Sequence, residues 1–233
     1  NPFTADHLKS LCRALKREQL LGQVGEIDER RVLNAIQRDQ RPITLTETER
    51  RLIATHECGH ALISALMPRA KTPSRISIRP DTMSLGRVTQ RQQKSRYTYT
   101  QSDFDEEIKV LLGGLSAEEI CFSEHSVGAA QDLAHASYIL REMLTKFGMS
   151  PLGLASFMPF EHNQTSLDLY TLSSEQLRAQ AEQWVSDYLE RAKIEVKRLL
   201  NLNIDTLSAL TEQLLKQNEI TEVELRSLSL HGD

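Results

Sequence analysis

The stretch His56-Glu57-Cys58-Gly59-His60 constrains this 233-residue chain more than any other. On a helix, residues four apart differ by only about 40° around the axis, so His56 and His60 can grip one metal ion together. Glu57 projects about 100° further round, where it can act as a base toward a water at the metal without being a ligand. Cys58 lies about 160° from His60 and points back into the fold. Gly59 has no side chain and lets a second backbone approach the helix. The plainer alternative is a helix with two histidines satisfied by hydrogen bonds.

Composition narrows the setting. A net charge of -4 and a pI near 6.0 speak against a dedicated nucleic-acid binder, which carries a strongly basic face. Cys12, Cys58 and Cys121 are few, odd in number and widely spaced, a usage that fits a reducing compartment rather than a disulfide scaffold. The apolar runs are interrupted by charge or histidine well short of the ~20 residues that span a bilayer, so no membrane contact is expected within this chain. Aromatic residues at 5% and only 10 glycines favour a mainly α protein.

In chain order, the spacing of Leu8, Leu11, Cys12 and Leu15, and then of Val32, Leu33 and Ile36, predicts a helical hairpin over 5–37. Thr46 with Glu49 forms a capping-box signature for the motif helix, about 47–67, which Pro68 ends. Ile76 and Ile78 alternate with polar residues, and Leu85, Gly86 and Val88 follow a turn, so 69–101 reads as a β hairpin or small sheet. That segment carries Arg69, Lys71, Arg75, Arg79, Arg87, Arg91, Lys94 and Arg96 against Asp81 alone. Without interleaved aromatics it reads as a solvated basic face rather than a nucleic-acid platform. Helices follow at about 103–121 and 129–147. The Gly113-Gly114 pair inside the first of them signals a close packing partner. Asp132, in the first turn of the second, suits the positive end of the helix dipole. An irregular loop over 150–172 precedes a long helix from 173 to about 200 and two shorter ones, about 205–217 and 221–229.

A catalytic zinc ordinarily takes three protein ligands and keeps one open position, and the residues alone leave the third ligand undecided. Four blocks resemble the FtsH-type ATP-dependent zinc proteases: His56-Glu57-Cys58-Gly59-His60-Ala61-Leu62, then Val110-Leu111-Leu112-Gly113-Gly114 with Ala117-Glu118-Glu119-Ile120, then Gly128-Ala129-Ala130-Gln131-Asp132-Leu133, and Phe147-Gly148-Met149-Ser150. The resemblance implies a helical zinc-protease domain over 41–233, with its zinc core at 44–160, C-terminal helices at 173–230 and a small sheet near the active site. Residues 1–40 resemble the end of an AAA ATPase lid, so the chain is expected to be a fragment of a longer protein. By the same resemblance Asp132 is the third ligand of one Zn2+ per chain, beside His56 and His60, and Glu57 is the catalytic base. One of the paired acids Glu118 and Glu119, with Glu119 preferred, is expected to hold a ligand histidine, and Leu85 and Gly86 belong to an edge strand that pairs with substrate.

The implied activity is endopeptidase cleavage of unfolded or damaged proteins. An attached ATPase module, whose ATP site is absent from these residues, would feed a homo-hexamer at the cytoplasmic face of a bacterial inner membrane, or in the cytoplasm. The alternative is an inactive hexameric platform or chaperone-like module that keeps the protease fold.

Overall fold

The computed structural model describes residues 45–79, 86–90, 98–151 and 174–227, with isolated positions between 12 and 32. The chain divides into two compact units, Asn1–Thr46 with Pro80–Leu85, and Glu47–Arg79 with Gly86–Asp233. Everything below concerns the second. The helical hairpin expected over 5–37 lies, isolated positions aside, outside the described residues, as do Leu85 and most of 150–172.

The unit is mainly α. Helix α1, Glu47–Leu66, carries Glu47 and Glu49 in its first turn, where carboxylates favour the helix dipole. Its fully buried residues Ala54, Cys58, Ala61, Leu62 and Ile63 pack into the core. Helix α2, Gln101–Phe122, starts at Thr100, whose backbone N–H and hydroxyl both donate to Asp103, at 2.7 and 2.6 Å. It stops at Ser123, which takes the left-handed conformation at φ 63° and returns its N–H to the Glu119 carbonyl.

Where α1 and α2 cross, side chains are missing on both sides. A methyl group at Gly59 would stand 2.4 Å from the Gly113 carbonyl oxygen, and one at Gly113 would stand 2.8 Å from the Gly59 carbonyl oxygen. The two helices therefore meet backbone to backbone, the close packing that the paired glycines signal in the sequence.

A 3-10 turn, Val127–Ala129, leads directly into α3, Ala130–Thr145. Helix α4, Glu175–Leu202, is capped by the Ser174 hydroxyl accepting from Leu177 N–H. It is fastened to α2 by Lys109, whose ammonium sits 2.8 Å from both Asp105 and Glu195, while the Tyr188 hydroxyl donates to Asp105 at 2.7 Å. Helix α5, Ile204–Gln217, buries Leu207, Leu210 and Leu214 and ends at left-handed Asn218.

Strands β1, Pro73–Ser77, and β2, Arg87–Gln90, pair antiparallel as the alternation predicts. A third strand, β3, Glu219–Thr221, flanks β1 on its other side, giving the order β2-β1-β3, before the short α6, Glu222–Ser227. Ile76 faces Ile220 across β1 and β3, both fully buried, and Arg75 pairs with Glu219 at 2.7 Å. Three residues are too few to show alternation, so β3 has no periodic signature in the sequence. Thr221 and Glu224 make the capping contacts that their spacing suggests, at 2.8 and 2.7 Å.

Gly59→Ala is expected to destabilise the unit by about 3 kcal/mol, the upper end of the overpacking range, because the atom in the way is backbone. A urea denaturation curve with unchanged slope and a lower midpoint would show it.

Candidate metal centre

Three polar atoms converge above the α1–α2 crossing. His56 Nε2 and His60 Nε2 lie 2.9 Å apart, and each is 3.2 Å from Asp132 Oδ2. The histidines come from successive turns of α1 and the aspartate from the first turn of α3, and the three are the only such cluster of metal-ligating atoms among the described residues. Asp132 therefore belongs to this cluster, well beyond a role in satisfying the helix dipole.

The remaining ring nitrogens decide what the cluster can hold. His60 Nδ1 sits 2.7 Å from the Val110 carbonyl oxygen. A carbonyl only accepts, so Nδ1 carries the proton and Nε2 presents a lone pair. His56 Nδ1 sits 2.6 Å from Glu118 Oε1, which fixes the same arrangement in the neutral ring. With both rings neutral, two lone pairs and a carboxylate oxygen face one another at hydrogen-bond distance, an arrangement that needs a proton or a metal ion between them. Such a donor set fits a cation, and two imidazoles with one carboxylate suit zinc with a position left open.

The electrostatics agree. Burial pushes His56 down, but its hydrogen bonds to Asp132 and Glu118 and the nearby Glu57 charge offset this and raise it to about 9. Burial would lift the Asp132 carboxyl, yet the two histidines hold it far below the usual carboxylate range. Positive charge is stabilised at this point, and a proton or a metal ion can supply it.

Glu57 lies on α1 between the two histidines. Burial pushes its carboxyl up, countered in part by His60 and His56. Cys58 is fully buried, turned away from the metal-binding face and hydrogen-bonded to Thr211, and burial pushes its thiol up to about 12. A low-pKa nucleophile or ligand is excluded there.

Among the paired acids, the geometry differs from the sequence expectation. Glu118, not Glu119, meets the ligand histidine. Glu118 is fully buried, and its other oxygen accepts from the Ser126 N–H. Burial raises its carboxyl, but the His56 and Ser126 hydrogen bonds outweigh that and hold it below the ordinary range. Glu119 turns outward to Lys197 at 2.6 Å and His125 at 3.0 Å. The reason is rotation: Glu118 is one turn on from Gly114, on the face toward α1, and Glu119 lies about 100° away.

Gly114 belongs to the same arrangement. A methyl there would stand 2.5 to 2.6 Å from three atoms of the His56 ring, so the missing side chain is the space the ring occupies. The double glycine marks this face in the sequence, and counting one turn from it identifies Glu118. Leu85 is outside the described residues. Gly86 precedes β2 and packs directly on Glu57.

The model of peptidase family M41 matches residues 43–228. The chain is 43% identical over 120 residues to the ATP-dependent zinc metalloprotease FtsH of Marinobacter nauticus, covering 50% of this chain and 19% of that protein. It is 31% identical over 194 residues to the FtsH of Caldicellulosiruptor bescii, covering 82% of this chain and 32% of the relative. With FtsH 2 of a Thermoanaerobacter species it shares 30% identity over 231 residues, 97% of this chain and 42% of that one. The chain thus spans less than half the length of these curated relatives.

Removing the carboxylate charge behind His56 is expected to weaken zinc binding about 10- to 100-fold in Glu118→Gln. Glu119→Gln should leave it within about twofold, since its partners are Lys197 and His125. Competition against a chromophoric chelator measures both.

Proposed function

The chain belongs to peptidase family M41, and we propose that this unit is a zinc endopeptidase in which His56, His60 and Asp132 hold the metal and Glu57 is the general base. The observation that carries the reading is the convergence of the two histidine Nε2 atoms and the Asp132 carboxylate within 3.2 Å of one another, with the half-buried Glu57 next to His56 in the chain. When bound, zinc lowers the pKa of a water toward neutrality and polarises a scissile carbonyl.

The chain's own residues account for the rest. Glu57, its carboxyl lifted by burial, is poised to take a proton from the attacking water and to deliver it to the leaving amine. Glu118 and the Val110 carbonyl keep the two imidazoles in the tautomer that points both lone pairs inward. Among the described residues strand β2 lies at the edge of the order β2-β1-β3, so its outer side can pair with an extended polypeptide. Because Gly86 stands between that strand and Glu57, a substrate chain laid along the edge passes the base.

An extended backbone is what an edge strand can take, so the substrates are unfolded or locally unfolded proteins. The names of the relatives supply ATP dependence. We extend that to delivery of unfolded chains by an AAA ATPase module of the same polypeptide, working as a homo-hexamer at the cytoplasmic face of a bacterial inner membrane. No helix among the described residues is long and apolar enough to cross a membrane. An inactive platform has less support, because the ligand set and Glu57 are all present.

Glu57→Gln should bind zinc stoichiometrically and lose about 10²- to 10⁴-fold in casein cleavage, the contribution of general base catalysis. Metal content by plasma emission and release of labelled peptides test it. Full zinc occupancy without cleavage by the wild type, in a confirmed hexamer, would overturn the reading in favour of the platform. Asp132→Ala should lose zinc, and retention at wild-type affinity would remove it from the ligand set.

A further inference from the structure

Ile53 and Glu57 stand one turn apart on α1 and form a shallow saddle on the face beside the histidines. The chain enters β2 across this saddle at Gly86. A methyl group at position 86 would lie 2.7 Å from Glu57 Oε1, 2.8 Å from Glu57 Cγ and 2.7 Å from Ile53 Cγ2, all well inside van der Waals contact. The backbone of Gly86 therefore occupies the space that would otherwise let the Glu57 side chain swing outward.

We propose that Gly86 is a positioning residue for the base: its bare backbone is the wall that holds the Glu57 carboxylate over the metal-binding face. This rests on the reading of Glu57 as base and adds a separate claim about what fixes it. The remainder of the environment supports the assignment. Glu57 has two side-chain torsions and a terminal carboxylate that can rotate, and among the described residues no hydrogen bond of that carboxylate to a neighbouring helix holds it as Glu118 is held. Its restraint at the strand entry is steric, and beside it the charges of His60, His56 and Arg87 act on the carboxylate. A side chain at position 86 meets Glu57 Oε1 and Ile53 Cγ2 at the same 2.7 Å, and of the two the end of the unbranched Glu57 side chain yields more readily than the β-branched Ile53. Steric positioning of this kind matters because a misplacement of about 1 Å can cost about 100-fold in rate.

Gly86 thereby couples two functions. The strand that pairs with substrate and the base that attacks beside it share one contact, so the substrate edge and the base keep a fixed separation.

The test is Gly86→Ala in the full chain, with zinc affinity, kcat and KM on an unstructured fluorogenic peptide, and a crystal structure of the zinc-loaded variant. We expect zinc affinity and KM within about twofold of wild type, kcat lower by about 100-fold, and the Glu57 carboxylate displaced by about 1 Å. A rise in KM with kcat unchanged, or an undisplaced carboxylate, would overturn the proposal and leave Gly86 as a substrate-strand residue only. Ile53→Ala/Gly86→Ala separates the two clashes and keeps the proposal testable should the single variant fold poorly. Trimming Ile53 opens the saddle on one side, and the double variant should remain as slow as the single one. Recovery to the rate of Ile53→Ala would refute the role assigned to Glu57. If the wild type binds zinc and cleaves nothing, the protease reading fails, and the carboxylate position in the crystal still decides the claim about Gly86.

Discussion

The backbone contact between Gly59 and Gly113 is the constraint on which the site depends. Two helices ordinarily pack with their axes 8–10 Å apart, held off by side chains. Removing both side chains at the crossing brings the α2 main chain against the metal-bearing turn of α1. Only at that range can the Val110 carbonyl reach one ligand histidine and Glu118 the other. The same approach would drive a side chain at position 114 into the His56 ring, and glycine stands there as well. One packing choice thus sets the depth, tautomer and orientation of two ligands at once.

Glu118 carries that order across to the third ligand. One of its oxygens accepts from the His56 Nδ1–H and the other from the N–H of Ser126, whose hydroxyl in turn accepts from Gly128 N–H. The 3-10 turn that follows opens directly into the helix bearing Asp132. A buried carboxylate is costly unless every lone pair is used, and here the hydrogen bonds that satisfy it join two ligand-bearing segments some seventy residues apart. The charge is then matched locally: two carboxylates border a point where only a cation relieves the facing lone pairs.

Much of this was legible in the sequence because its signals are periodic or local. The helices follow from three-to-four spacing, the contacts of Thr221 with Glu224 from their capping-box spacing, and the burial of Cys58 from helical rotation. The close approach at Gly113 followed from the cost of glycine inside a helix. Asp132 is different. In isolation it is a dipole-favouring acid, and its place came from resemblance, because nothing local in a chain specifies which distant carboxylate a fold returns to a given histidine. Choosing between Glu118 and Glu119 required the rotation of α2 about its own axis, which the position of Gly114 encodes. Strand β3 left no trace, since pairing with β1 determines it and three residues hold no pattern.

That late strand has a consequence for the order in which the molecule becomes whole. Ile76 pairs with Ile220, a contact between distant parts of the chain, and closing a loop over such a separation carries a large entropic cost. The candidate ligands and the carboxylate behind them all lie between His56 and Asp132, ahead of β3 in the chain. The central strand β1 gains its second neighbour only when the last helices have been laid down. During synthesis β1 therefore stays half-paired until Thr221 has been made, so the sheet that would seat another polypeptide is braced last.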